Sequence, residues 1–324
     1  MAALAAAAIL LWQMRLPLLQ RFTPAPALLS DAPAQAIELP RAVPERLWAD
    51  LEGLSFKRYR EAERAQARLY IQQRLEVAGW QTQLQPFAGG VNLVAERQGS
   101  DPSLGAILLG AHYDTVEVAP GADDNATAVA ALLEAARLLK PPTPRTLQLV
   151  FFDLEERGLL GSKPFVEQLS PKSVQAAVVL DMIGYRCDQP GCQSYPPLLP
   201  MQSPPDRGDF LAVLGDQSHA DLLKYFTAGT ASGNASGNAS GAQVLPPVIT
   251  LAIPTLGGLA PDLVRSDHAP FWNKGIGAVL VSDTANFRNP NYHQASDTLE
   301  TIDPDFFVGS AQIVINAVAQ MLQN

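Results

Sequence analysis

The sequence predicts an α/β domain on a largely parallel central sheet, with helices covering both faces. Three observations support this. Short apolar runs recur at Ala106–Ala111, Thr146–Asp153, Val174–Asp181 and Ala278–Ser282, each the length of a strand buried on both sides. Helix-patterned stretches alternate with them. The chain is 47% hydrophobic but only 17% charged, against roughly 25% charged in an average globular chain. At 324 residues that composition supports a large core and excludes wholesale disorder.

The elements follow in order. Met1–Met14 carries no charge, is almost wholly apolar and precedes Arg15. It is shorter than the roughly 20 residues that span a bilayer and resembles the apolar part of a secretory signal. Small-residue sites follow at Ala25-Pro26-Ala27 and Ala32-Pro33-Ala34. Residues 1–36 are therefore read as a signal-like or membrane-tether segment, and residues 37–324 as a single domain. A helical stretch begins after Pro40. A longer one is expected over Arg58–Ala78, where Ala67, Tyr70, Ile71, Leu75 and Ala78 form an apolar stripe that Gly79 ends. Gln81–Pro86 and Val91–Glu96 read as strands. The buried run Ala106–Ala111 leads straight into His112. An Ala-rich, nearly uncharged helix is expected over Asn125–Leu139, stopped by Pro141 and Pro142. Thr146–Asp153, Val174–Asp181 and Ala278–Ser282 are further buried strands, and a closing helix lies near Pro304–Leu322. Thr230–Gly241 repeats Ala-Ser-Gly-Asn and reads as a flexible Gly/Ser/Asn-rich insertion within the domain.

The formal net charge is −9, with no cluster of Lys and Arg. Phosphate binding needs such clusters, so nucleic-acid partners are excluded. The two cysteines, Cys187 and Cys192, flank Asp-Gln-Pro-Gly. Their spacing is wrong for a C-x-x-C metal or redox site. The Pro190-Gly191 turn lets their Cα atoms approach, so a small disulfide is expected; two free thiols are the alternative. A disulfide implies an oxidising compartment and agrees with the N-terminal segment in placing the protein outside the cytoplasm, secreted, periplasmic or tethered.

The chemistry concentrates where strands end, since α/β proteins present functional residues at the carboxyl ends of their strands. One strand ends in His112-Tyr113-Asp114, and i, i+2 residues of extended chain point the same way. A metal-binding His commonly donates its other ring nitrogen to a carboxylate. A second strand runs into Glu155-Glu156, where one carboxylate suits a cation while its neighbour handles a proton. A third closes on Asp181. Asp124 stands in Pro120-Gly121-Ala122-Asp123-Asp124-Asn125, at a helix entry where Asp and Asn also serve as ordinary caps. His293 lies in the polar loop from Asn291 to Thr298. Together these donors exceed the needs of one tetrahedral zinc and fit two. No H-E-x-x-H, G-x-S-x-G or P-loop competes.

The ordered set His112-x-Asp114, Pro-Gly-Ala-Asp-Asp124, Glu155-Glu156-x-Gly158, Leu-Asp181-Met and His293 with Asp297-Thr298 resembles the secreted co-catalytic zinc aminopeptidases, whose fold glutaminyl-peptide cyclases share. The resemblance runs from about residue 44 to the end. It implies a three-layer α/β/α sandwich with a mixed, mostly parallel sheet. It assigns His112 and Asp181 to one zinc, Glu156 and His293 to the other, and Asp124 to both. It makes Glu155 the general base and Asp114 the group that orients His112. It places Asp267 and His268, in Ser266-Asp267-His268, behind the site, and the Cys187–Cys192 loop beside the cleft. It suggests a cis peptide between Asp124 and Asn125. Met182 and Tyr292 adjoin ligands and are expected to form an apolar substrate wall. The implied function is a two-zinc metallo-aminopeptidase acting on peptides with a free N-terminus. The rivals are a glutaminyl-peptide cyclase with a single zinc and a non-catalytic ectodomain of the same fold. Neither the oligomeric state nor the preferred residue is readable from the chain.

Overall fold

A computed structural model describes residues 39–197, 199, 201, 203–227, 244–254 and 261–324. The signal-like segment and the Thr230–Gly241 insertion lie outside the described residues. Among the described residues an eight-stranded sheet runs in the order β1-β2-β4-β3-β5-β8-β6-β7. Its strands are β1 Thr82–Phe87, β2 Gly90–Arg97, β3 Ala106–His112, β4 Leu147–Phe152, β5 Val174–Leu180, β6 Leu211–Asp216, β7 Val248–Ile253 and β8 Ala278–Ser282. The centre, β4-β3-β5-β8, is parallel. Antiparallel pairings join β1 to β2, β2 to β4 and β6 to β8, while β6 and β7 are parallel. The sheet is therefore mixed and mostly parallel at its core, as expected.

Alternation along the central strands divides the core in two. Ile107, Leu109 and Ala111 of β3 and Leu149 and Phe151 of β4 face one layer. That layer holds helices α1 Pro44–Leu54, α2 Glu61–Val77, α3 Ala128–Leu138 and α6 Pro304–Gln323. Leu108 of β3 and Val150 and Phe152 of β4 face the other, against Phe165 of α4 Ser162–Gln168 and Phe271 of α5 Ala269–Asn273. Helix α6 is long and apolar enough to cross a bilayer, but it is 83% buried within the protein. Its apolarity is that of a core helix, set between sheet and helices.

Two boundaries differ from the sequence reading for physical reasons. Helix α2 starts at Glu61, not Arg58, because Glu63 accepts hydrogen bonds from the backbone N–H of Arg60 (2.8 Å) and Tyr59 (3.1 Å) and closes the helix start there. Arg58 is left outside any regular element, with its side chain buried. The Ala-rich helix begins regularly at Ala128, behind a wider π-type turn over Ala122–Thr127. That turn contains a cis peptide between Asp124 and Asn125, where the resemblance placed one. Strands β6 and β7 are additions to the elements assigned from sequence.

Cys187 and Cys192 form a disulfide, and the backbone of Cys187 pairs with Gly208. Titration of unreduced protein should accordingly find no free thiol, and two after reduction and unfolding. Two reactive thiols before reduction would remove both the bridge and part of the argument for an oxidising compartment.

Candidate metal centre and active-site cleft

His112 ends β3, Asp181 follows β5, and Glu155 and Glu156 follow β4, so the parallel sheet delivers them to one edge. Asp124 comes from the turn before α3, and His293 from the loop after β8. They converge as two donor triads, His112–Asp124–Asp181 and Asp124–Glu156–His293, that share Asp124. His112 Nε2 lies 3.3 Å from Asp124 Oδ1 and 3.6 Å from Asp181 Oδ1. His293 Nε2 lies 3.2 Å from Asp124 Oδ2 and 2.9 Å from Glu156 Oε2. Tetrahedral ligands about 2.0–2.1 Å from a zinc ion sit roughly 3.3–3.4 Å from one another. The observed separations are close to that, and Asp124 offers one oxygen to each triad.

Side chains from distant segments fix the backbone behind each donor. Asp114 lies 3.5 Å from His112 Nδ1 and accepts the backbone N–H of Glu155 at 3.0 Å and of Glu156 at 3.3 Å. It thus fixes the turn that carries the two adjacent acids and stands beside the imidazole. Asp297 accepts the N–H of Asp123 (2.8 Å) and Asp124 (3.1 Å). Asn125 donates to Leu180 O and accepts from Met182 N–H, both at 3.0 Å, bracketing Asp181. Leu154, Met182 and His293 adopt left-handed backbone conformations, a strain that gathers at functional sites. Beneath them Arg58 donates to the carbonyls of Tyr113, Leu54, Phe56, Pro120 and Gly121. It pins the His112–Asp114 segment to the Gly121–Asp124 turn. Gly121 has φ +69°, and a Cβ there would lie 2.3 Å from Asp124 O and 2.8 Å from Arg58 Nη2, so glycine is required.

The charge balance calls for cations. Burial, with the Asp124 charge next, pushes Glu156 up to about 8 despite His293. Burial raises Glu155 well above the usual carboxylate range, against His112, with Asp267, Asp181 and Glu156 adding to the rise. Burial lifts Asp267 to about 7, with His112 opposing. Burial alone would lower His293, but Asp124 and Glu156 raise it to about 10. Burial would raise Asp124, yet hydrogen bonds from His112 and His293 hold it below the ordinary range. So many carboxyl groups buried together favour positive charge close by. Glu156 Oε1 is moreover buried without a hydrogen-bond partner. Donor types, spacing and excess acid all fit two dications.

The remaining candidates divide. Glu155 lines the cleft beside both triads. Tyr292 lines it too and stacks on His293 with ring centroids 3.7 Å apart. Met182 does not line it: the side chain is fully buried. Asp181 lines the cleft, whereas the chain turns at Met182, whose φ is +56°, and buries that side chain in the interior, which corrects the expected pocket. Its place in the wall goes to Phe210, Ala212 and Leu214 at β6, Ile249 and Leu251 of β7, and Leu280 of β8. Asp267 is buried within electrostatic reach of His112 and Asp181. His268 is buried, its Nε2 2.9 Å from Leu263 O. Both therefore lie behind the cleft. Ser194, next but one to Cys192, lines the cleft, so the disulfide loop sits beside it. Sequence reasoning missed Arg58, Asn125 and the β6–β7 wall. Arg58 carries no local signal, since it precedes a helix as any surface cation does.

A family model for Peptidase family M28 matches residues 92–318. The uncharacterized protein YfbL of Escherichia coli K12 is 35% identical over 255 residues, covering 74% of this chain and 73% of YfbL. Aminopeptidase YwaD of Bacillus subtilis is 42% identical over 82 residues, which is 24% of this chain and only 18% of YwaD. Among solved structures, Legionella pneumophila LapA aminopeptidase superposes with TM-score 0.66 at 21% identity, over 87% of this chain and 73% of that one. Porphyromonas gingivalis glutaminyl cyclase does so with TM-score 0.60 at 19% identity, over 86% and 99%. An aminopeptidase and a cyclase thus share this fold, and activity has to be argued from the site. With all the described donors lying within or beside the matched span, this chain belongs to peptidase family M28.

Proposed function

We propose that this chain is a zinc-dependent aminopeptidase that removes apolar N-terminal residues from peptides outside the cytoplasm. The observation that carries the reading is the pair of donor triads sharing Asp124, with Glu155 beside them, at the acidic end of a cleft with an apolar wall. His112, Asp181 and Asp124 would hold one zinc, and Glu156, His293 and Asp124 the other. Zinc bound there would polarise the scissile carbonyl as a Lewis acid and make a water acidic enough to react near neutral pH. Glu155 takes the proton of the attacking water on its carboxylate and hands it to the leaving amine. Asp114 holds the turn that aims Glu155. The wall of Phe210, Leu214, Ile249 and Leu251 suits an apolar side chain. The segment 1–36 and the disulfide support an extracytoplasmic setting, and residues 37–324 are taken as one catalytic domain.

Leucyl reporters should be cleaved at least about tenfold faster than glutamyl or aspartyl ones, because an unpaired carboxylate is costly against that wall. N-acetylated leucyl reporters should be inert. Zinc analysis of the active protein should give two ions per chain. One zinc per chain together with cyclisation of a glutaminyl peptide would instead identify a cyclase. Two bound zinc ions with no turnover of any free-amine peptide would point to the ectodomain reading.

A further inference from the structure

The apolar wall of the cleft is held by a buried cation that does not line it. Between β5 and β6 the chain makes a long excursion, and Tyr195, Leu199, Met201 and Phe210 of that excursion line the cleft. The Cys187–Cys192 bridge joins two residues of the same excursion, so it does not tie the wall to the sheet. Arg288, beyond β8, is 4% exposed and stands outside the lining. Its guanidinium carbon lies 4.5 Å from the centre of the Phe210 ring and 5.7 Å from that of Phe306, near the start of α6. Its Nε donates to Gln193 Oε1 at 2.8 Å, and its Nη1 to Tyr185 O at 3.4 Å. Gly208, whose backbone pairs with Cys187, leaves room for it: a Cβ there would lie 2.3 Å from Arg288 Nε.

Gln193 completes the tie. Its Nε2 donates to Thr284 Oγ1 at 2.9 Å, and the N–H of Ser194 donates to Phe287 O at 2.8 Å. Thr284 and Ala285, just beyond β8, adopt left-handed conformations. Ser282 and Asp283 side chains hold them by accepting their N–H groups, both at 2.9 Å. One guanidinium thus connects the core helix α6, the end of β8 and several points of the excursion. A planar cation over a ring constrains it as a compact ammonium does not. Arg288 therefore holds the Phe210 ring from outside the cleft. The alternative is that it only neutralises Asp283 and Asp123, which lie within electrostatic reach; any cation of similar length would then serve.

We propose that Arg288 is a positioning residue for selectivity. From outside the cleft it sets Phe210 and the chain after the disulfide as a rigid wall, and thereby how strongly a large apolar first residue is preferred to a small one. The inference rests on the aminopeptidase reading for the nature of the ligand. A wall free to recede forfeits its contacts with a leucyl side chain, whereas an alanyl side chain has few such contacts to lose.

The test compares zinc-loaded wild-type protein with Arg288→Lys and Gly208→Ala. The lysine keeps a charge near Asp283 and Asp123 but lacks the Nε–H and the planar stack. The alanine methyl displaces the guanidinium with Arg288 still present. The readouts are kcat and KM for leucyl and alanyl reporters, calorimetric binding of leucinol and alaninol, zinc content and a thermal melt. One methylene in an apolar pocket carries about 10–200-fold, so in both variants the leucyl-to-alanyl ratio of kcat/KM should fall at least about fivefold. The change should lie in KM for the leucyl reporter, with zinc content at the wild-type level. The leucinol-to-alaninol binding ratio should fall in parallel. An unchanged ratio in both variants, or equal losses on both reporters with zinc released, reduces Arg288 to charge balance and overturns the proposal. Failure of the aminopeptidase reading shows separately. Wild-type protein would then hydrolyse neither reporter, while still preferring leucinol to alaninol and losing that preference in both variants.

Discussion

Glu155→Gln is expected to lose at least about 10²–10⁴-fold in kcat, the range typical of general acid–base catalysis, while its zinc content stays at the wild-type level. The amide keeps the shape of the side chain but cannot take a proton. Asp114 still accepts the backbone N–H groups at 155 and 156, so the turn keeps its place. Glu156→Gln should behave differently. Its carboxylate belongs to the Asp124–Glu156–His293 triad, and a neutral amide oxygen is a poorer zinc ligand. That variant should lose one zinc on dialysis, and excess zinc should recover part of its activity. Metal analysis beside the rates decides the matter. Zinc loss from Glu155→Gln and retention by Glu156→Gln would exchange the two roles. Full activity with full zinc in both would remove the proposed mechanism altogether.

Arg58→Met is expected to lower stability by at least about 3 kcal/mol, because buried carbonyls left without donors cost roughly 1–3 kcal/mol each. Arg58 is almost wholly buried and donates to the carbonyls of Tyr113, Leu54, Phe56, Pro120 and Gly121. Burial lowers it to about 10, with Asp297 and Asp124 holding it up, so it remains charged at neutral pH beneath the donor acids. A thermal melt should show a fall of roughly 5 °C or more. Zinc affinity should fall as well, since the segments bearing His112 and Asp124 lose their common clamp. Arg58→Lys should restore only part of this, because an ammonium has three donors and no planar fork. A melting temperature within about 1 °C of wild type for Arg58→Met would show that the carbonyls find other donors.

The zinc donors were legible because of where they stand. His112, Glu156 and Asp181 each stand at or just beyond the end of a buried apolar run, and an apolar strand that ends in a chemically costly side chain needs a reason. The helix at Pro304 and the strand Ala278–Ser282 were equally plain, since their patterns are local. Arg58 was not legible. Its significance comes from Gly121, more than sixty positions away, and no periodicity marks such a contact. Met182 was misplaced for a related reason. Adjacency to Asp181 in sequence is not adjacency in the cleft, because the chain turns at Met182, where φ is +56°, and buries its side chain.

By itself the sequence determined the α/β class, the ordered motifs and the donor types, because these depend on composition and on short-range pattern. Only the tertiary structure decided that Asp124 faces both histidines, that Asp114 and Asp297 hold the backbone behind the donors, and that β6, β7 and β8 supply the apolar wall. It alone brought Arg288 to Phe210. Each of these is a contact between segments far apart in the chain, made by strand order and loop packing. Local pattern specifies which side chains are available at a strand end; only the closed sheet specifies what they meet.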